Sequence, residues 1–395
     1  MFFLNYKKIL EYFFVVLIII CFSLFYLNIQ PKILAGNGFG WDGNEYNKLY
    51  NYFSYGYYDS FIYPFCNRVG TPFLAFLTGI KDSSHAFMAV NMVSSAIFSF
   101  VIYLIARVVG FNFYYSLFSM LLTMVLFFSP LRFTPYYPVY TDPIFLLLLS
   151  LSFFCLIKQR ILLAFIFLII AYPVRESSIF VAFIFLIFSI YLYGYKKETL
   201  YKFIVSIFLM ISMKYITSYY LNCNGSQVKT VLYWLYFRVT DPKNFISYFA
   251  AISMTAAPIW YISKLEILSK IEKVSLFGFI FAALLSFIGG SDSTRIFFSF
   301  YPIYFILIIS IIRNKGFIFS IICLLGYLAT NNVTRKILEP LNYMPSMDES
   351  GFFWQFPDHA RPEVSLMILC VWFILFMLYN KLCNILKNNN FKKYF

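Results

Sequence analysis

The chain has 395 residues, of which 61% are hydrophobic and 12% charged, with a mean hydropathy of +0.76. A soluble domain carries about 25% charged residues. No water-soluble fold of this length hides so much apolar surface, so a cytosolic enzyme, a secreted module and a disordered chain are excluded. The net charge of +14 points to a lipid bilayer as partner and not to nucleic acid, because in a membrane chain basic residues between apolar segments set orientation.

A bilayer crossing takes about 20 mostly apolar residues. The sequence predicts an all-α polytopic transmembrane bundle forming one domain over 1–395, with about twelve spans. They fall near 9–29, 85–106, 113–129, 142–157, 161–174, 177–194, 203–221, 245–263, 274–289, 296–312, 316–330 and 364–383. The first stretch follows Lys7 and Lys8 and has no small-residue cleavage site after it, so it reads as a retained span and not as a leader. Pro173, Arg175 and Glu176 interrupt the end of the fifth.

Placing the N-terminus inside puts 17 basic and 4 acidic residues in the inner segments, against 13 of each sign outside. The positive-inside rule favours this orientation, with both termini cytoplasmic. The outward segments are the longer ones: 30–84, 130–141, 222–244 and 331–363. With the shorter outward turns they hold nearly all the Asp and most of the Arg, so the working face is expected outward, on loops that a rigid scaffold positions.

Seven Cys are scattered, most of them in apolar runs, with no CxxC pair, and the two His lie far apart at 85 and 359. Neither a disulfide framework nor a thiolate or imidazole metal centre is indicated.

The richest stretch for chemistry is Gly38-Phe-Gly-Trp-Asp-Gly-Asn-Glu-Tyr46, followed by Tyr55-Gly-Tyr-Tyr58 and Tyr63-Pro-Phe-Cys-Asn-Arg-Val-Gly-Thr-Pro72. A helix starting at Asp42 sets its carboxylate and that of Glu45 on one face. The competing reading is an interfacial aromatic belt with Asp42 as a helix N-cap.

Trp-Asp-Gly with a following Tyr, then Tyr-Gly-Tyr, Tyr-Pro and Arg68-x-Gly-x-Pro, resembles the first external loop of GT-C-type glycosyltransferases, nearest to GPI-type mannosyltransferases and their bacterial relatives. About 40 residues carry the likeness, and the rest matches by architecture. The resemblance implies a GT-C-like bundle with interfacial helices in its outside loops, a polyprenyl-phosphate-linked sugar donor, and Asp42 as the catalytic carboxylate. It also implies a glycan or lipid-linked acceptor and a place in the bacterial inner membrane. The chain departs from the family pattern in lacking an Asp-x-Asp pair, and the second-loop acidic motif is reduced to Thr141-Asp142.

Other charges fall at the outer ends of spans, where an ionisable group is a functional hypothesis by default. These are Arg68, Asp142 in Pro138-Val-Tyr-Thr-Asp-Pro143, the Arg175–Glu176 dipeptide, and Asp292 and Arg295 in Gly289-Gly-Ser-Asp-Ser-Thr-Arg295. With Glu45 they are the expected substrate-binding set. Each has a structural alternative: Asp142 as an N-cap before Pro143, Arg175–Glu176 as a turn or an ion pair, Asp292 as a cap where one helix stops and the next starts. The aromatic and charged stretch 347–361 reads either as an acceptor flap or as a surface loop.

Direct transfer needs a base for the acceptor hydroxyl and a cation for the departing phosphate. Asp42 is the expected base, and Arg68, Arg175 and Arg295 are the expected phosphate ligands. Asp42, Glu45 and Asp142 hold either one divalent cation (Mg or Mn) or none. A polysaccharide polymerase acting on lipid-linked repeats is the alternative, though external charge here is dispersed and not gathered into one Arg-rich loop. A lipid-linked-oligosaccharide flippase or other transporter fits less well, because no internal repeat is visible and the charges sit at one face.

Overall fold

The computed structural model describes residues 6–33, 35–40, 42–56, 61–223, 227–240, 242–262, 268–289, 293–334 and 362–388. Trp41, Asp292 and the 347–361 stretch lie outside them. The regular elements among the described residues are helical. The chain runs through α1 (Tyr6–Ile29), α2 (Gly43–Tyr55), α3 (Gly70–Leu77), α4 (Ser83–Val109), α5 (Phe113–Val125), α6 (Pro130–Tyr136), α7 (Asp142–Ile157), α8 (Ile161–Ala171), α9 (Ser178–Tyr193) and α10 (Lys197–Tyr220). It continues through α11 (Gln227–Thr240), α12 (Pro242–Ala256), α13 (Lys270–Ile288), α14 (Ser293–Phe298), α15 (Tyr301–Lys315), α16 (Phe317–Thr334) and α17 (Pro362–Asn388).

Among the described residues, six stretches are long and apolar enough to cross a membrane: α1, α4, the 113–136 stretch of α5 and α6, α10, α13 and most of α17. Others, including α7, α8, α9 and most of α16, are apolar but only 10–17 residues long. Phe208 and Ile216 of α10 and Phe13 and Leu24 of α1 are exposed. Helices apolar on their outward faces are stable in lipid and not in water. By the length and composition of its helices the protein is a helical membrane protein.

The described residues form two compact units, one of 6–124 and 129–223, the other of 228–334 and 362–388 with 125–128. In the first unit successive long helices alternate in direction. At one end Glu11 near the start of α1 accepts from the Tyr103 hydroxyl and pairs with Arg107 at 2.9 Å, both near the end of α4. Tyr193 at the end of α9 donates to the Leu156 carbonyl at 2.8 Å, at the end of α7. At the opposite end the Ile33 amide, beyond α1, donates to the Tyr136 carbonyl at 2.8 Å. There the Asn91 side chain of α4 donates to the Pro138 and Tyr140 carbonyls at 2.8 and 2.9 Å. A buried amide held by two carbonyls fixes a segment that has no helical bonds of its own.

Helix boundaries follow local chemistry. The Asp82 side chain accepts from the His85 amide at the start of α4, and Gly110 in the left-handed region closes that helix. Ser269 and Glu272 form a capping box on α13. In the second unit Ser275 donates to the Ile303 carbonyl at 2.7 Å, joining α13 to α15, and Tyr327 donates to the Thr255 carbonyl at 2.9 Å, joining α16 to α12.

One sequence expectation is overturned in the first unit. Cys66 and Cys223 form a disulfide, with Cα atoms 6.0 Å apart and a separation of 157 positions in sequence. Spacing patterns register cysteines that are close along the chain, whereas this pair is made by tertiary contact. The other five cysteines are free.

Candidate functional site

The 30–84 segment folds as a cap of short helices on one end of the first unit. Its entry lies on the 136–141 segment. Gly40 has φ +68°, and a Cβ there would run into the Tyr137 ring. The loop can approach so closely only because glycine carries no side chain and tolerates this backbone. Its exit lies on the 172–177 turn, where the Gly70 amide donates to the Pro173 carbonyl at 2.8 Å. A Cβ on Gly70 would meet Val174 Cγ2 at 2.8 Å. The third anchor is the end of α10, through the Cys66–Cys223 bond and through Asn67 Oδ1, which accepts from the Thr217 hydroxyl at 2.9 Å and from Ser218 at 3.3 Å.

Asp42 immediately precedes α2, whose first turn carries Glu45. Its side chain makes no capping hydrogen bond, and its backbone is already helical at φ −72°, ψ −25°. Asp42 thus holds the N-cap position, as the structural alternative has it, but without the side-chain bond of a capping residue. Glu45 pairs with Lys48 at 3.0 Å along the same helix, a contact worth a few tenths of a kcal/mol on a helix surface.

The Arg68 guanidinium lies between Glu176 and α2. Its Nε donates to both Glu176 carboxylate oxygens at 3.1 and 3.3 Å, and its Nη1 donates to the Tyr46 hydroxyl at 3.2 Å. The Phe65 ring sits 5.9 Å from its carbon. Burial works against the arginine charge, but the Glu176 carboxylate beside it, with Tyr46 and Asp42 adding to the field, holds it firmly protonated. Tyr63 borders the same carboxylate. Burial and then Glu176 push its hydroxyl well above the usual phenol range, so it remains a neutral hydroxyl.

Arg175 pairs with Asp142 at the start of α7, both nearly buried, with the Phe145 ring 5.9 Å from the guanidinium. The N-cap alternative for Asp142 falls here, whereas Arg175 and Glu176 do lie in a turn, each ion-paired to another segment. Asp142 is the first residue of its helix and spends its carboxylate on Arg175, and no side chain caps α7 at Thr141. Arg175 and Glu176 do not neutralise each other: one clamps α7 and its neighbour clamps the first loop. Adjacent residues of opposite charge thus tie three segments together.

No family model, curated protein or solved structure matches this chain.

Of the expected set, Asp42, Glu45, Arg68, Asp142, Arg175 and Glu176 belong to one end of the first unit. Arg295 is on α14 of the second unit and half-buried, and Asp292 lies outside the described residues. No group of three carboxylate, His or Cys side chains assembles as metal ligands among the described residues. The proposed Asp42, Glu45 and Asp142 trio is divided, since Glu45 faces Lys48 and Asp142 faces Arg175.

Sequence reasoning missed Tyr46, Tyr63 and Arg132. Tyr46 stands four residues after Asp42, the spacing that shares a helix face, so its place beside Asp42 was readable. Arg132, in Ser129-Pro-Leu-Arg-Phe-Thr-Pro135, is fully buried on α6. An arginine inside an otherwise apolar run is the signal that marked it.

Proposed function

We propose that this protein is a GT-C-like membrane glycosyltransferase with about twelve crossings. It moves a sugar from a polyprenyl-phosphate donor to a glycan or lipid-linked acceptor on the outer face of a bacterial inner membrane. The observation that carries the reading is Asp42. It lies in the field of a protonated arginine, in a loop anchored at three places.

The reaction that this arrangement serves is a single displacement. The acceptor oxygen attacks the anomeric carbon and its proton passes to the Asp42 carboxylate. The bond from that carbon to the donor phosphate breaks, releasing polyprenyl phosphate with inversion. Arg68 feels the field of Asp42, and Glu176 and Tyr46 fix its fork, so its Nη2 is the donor assigned to phosphate oxygen. Asp142 and Arg175 hold the floor of the loop and do not contact substrate. The charge count supports the outward orientation, since the loop bearing Asp42 lies on the side poor in net positive charge.

The test is Asp42→Asn in purified protein reconstituted with lipid extract from the producing cells, with release of free polyprenyl phosphate read by mass spectrometry. The change is nearly isosteric and removes no capping bond. Folding should be normal and release should fall at least a hundredfold, since an amide cannot serve as general base. Release at the wild-type rate would refute the assignment.

A further inference from the structure

The two bonded cysteines stand apart from the other five in a way that the charge pattern explains. Cys21, Cys155, Cys323, Cys370 and Cys383 all fall in the apolar spans, and all five are free. Cys66 and Cys223 fall in the 30–84 and 222–244 segments, which the Lys and Arg count places on the same side of the membrane. Seven cysteines offer twenty-one possible pairs, and the structure joins the one pair in which both members stand outside the spans. Charge distribution and tertiary contact are separate observations, and they agree on the face.

We propose that Cys66 and Cys223 are an oxidation site used during biogenesis, installed by a dithiol–disulfide oxidant on the outer face, and that the bond fastens the Asp42 loop to α10. Disulfides persist in oxidising compartments and are rare where thiol buffers keep cysteines reduced, so the side carrying this bond is the envelope side. The exchange is balanced. One cysteine thiolate attacks the oxidant's disulfide, and the second thiolate displaces it from the mixed disulfide. The protein loses two electrons and two protons, and the oxidant leaves as a dithiol.

The bond has mechanical work to do. Cys66 is fully buried in a cluster with Tyr46, Leu49, Tyr50 and Phe61. Leu221, just before Cys223, is buried in the same cluster. The neighbouring Asn67 is held by the Thr217 and Ser218 hydroxyls, which line the last turn of α10. Beyond that helix the chain makes only a short turn before Cys223, so the bond and the Asn67 contacts bear on the same few residues. Without the bond the junction keeps the packing of Leu221 and the two hydrogen bonds to Asn67.

This inference shares the outward orientation with the proposed function but not its chemistry, and the test needs no turnover. Membranes from cells making the full chain are dissolved in SDS with a polyethylene-glycol maleimide, before or after reduction, and the conjugates are counted by gel mobility. The expected result is five additions before reduction and seven after, and Cys66→Ala should give six in both. Mass spectrometry of a protease digest should show the 66 and 223 peptides joined. Seven additions before reduction, or a bond joining any other pair, would overturn the proposal. Synthesis in medium containing the impermeant reductant tris(carboxyethyl)phosphine should raise the unreduced count from five to seven. A count that stays at five under that reductant would place the bond on the other face and refute exchange in the envelope. Loss of activity in Asp42→Asn with an intact bond, or the reverse, separates the two readings.

Discussion

Neutralising Glu176 should loosen the first loop by leaving a buried arginine without its counterion. In Glu176→Gln the Arg68 side chain, 17% exposed, keeps the Tyr46 hydroxyl but loses a carboxylate that now receives its Nε at 3.1 Å. With charge centres about 4 Å apart and an effective dielectric near 20, the lost attraction is roughly 4 kcal/mol. Partial exposure and the amide's own hydrogen bond reduce this to about 2–3 kcal/mol, near the lower end of what broken buried pairs cost. Removing the stranded charge as well should restore most of the loss, so Arg68→Met with Glu176→Gln should lie within about 1 kcal/mol of the parent. The assay is SDS titration of the purified protein in mixed micelles, followed by circular dichroism, for both single variants and the double. A coupling energy of about 2 kcal/mol is expected. A Glu176→Gln variant within about 0.5 kcal/mol of the parent, and additive with Arg68→Met, would show that the pair does not hold the loop. The double variant should be stable and still inactive, which separates anchoring from phosphate binding.

Gly40→Ala should cost about 2–3 kcal/mol in the same titration, because it strains a left-handed backbone and drives a methyl into the Tyr137 ring. Gly56→Ala, with φ +70° and open space around it, should cost only about 1 kcal/mol, so equal losses would discount the docking of the loop on Tyr137. Tyr46→Phe keeps the ring against Phe65 but removes the acceptor for Arg68 Nη1. It should lower stability by about 1.5 kcal/mol and release of polyprenyl phosphate by about tenfold or more, and unchanged release would remove Tyr46 from the site. A membrane-impermeant thiol reagent on intact cells should modify Asn44→Cys and spare Leu268→Cys, in a background lacking the free cysteines. Modification at 268 alone would reverse the orientation.

The helices were legible because apolar runs and punctuating glycines are local signals: Gly110 and Gly316 end α4 and α15 where the pattern breaks. The ends of charged segments were legible too, since charges in an apolar chain are few. What each charge touches was not. Asp42 and Asp142 both stand at helix starts, where the same residue type serves as a cap or as a charge partner, and only the packing of α7 against the 172–177 turn decides between them. Arg175–Glu176 reads along the chain as a self-neutralising pair, and in space each residue faces a different segment. The Cys66–Cys223 bond could not be read at all, because disulfide spacing rules describe small scaffolds and not loops brought together by a bundle.

The distance along the chain between those two cysteines has a consequence for assembly in time. At about 5–20 residues per second, the 157 positions from one to the other take the ribosome about 8–30 s to make. Throughout that interval the helices from α4 to α10 are still being made, and the thiol at 66 lacks the mate that the fold gives it. A stalled ribosome, a truncated message or a failed insertion of α10 leaves every aborted copy with that thiol uncapped. Such a copy carries a thiol in the Asp42 loop that the finished molecule has closed, a chemical mark of incomplete assembly.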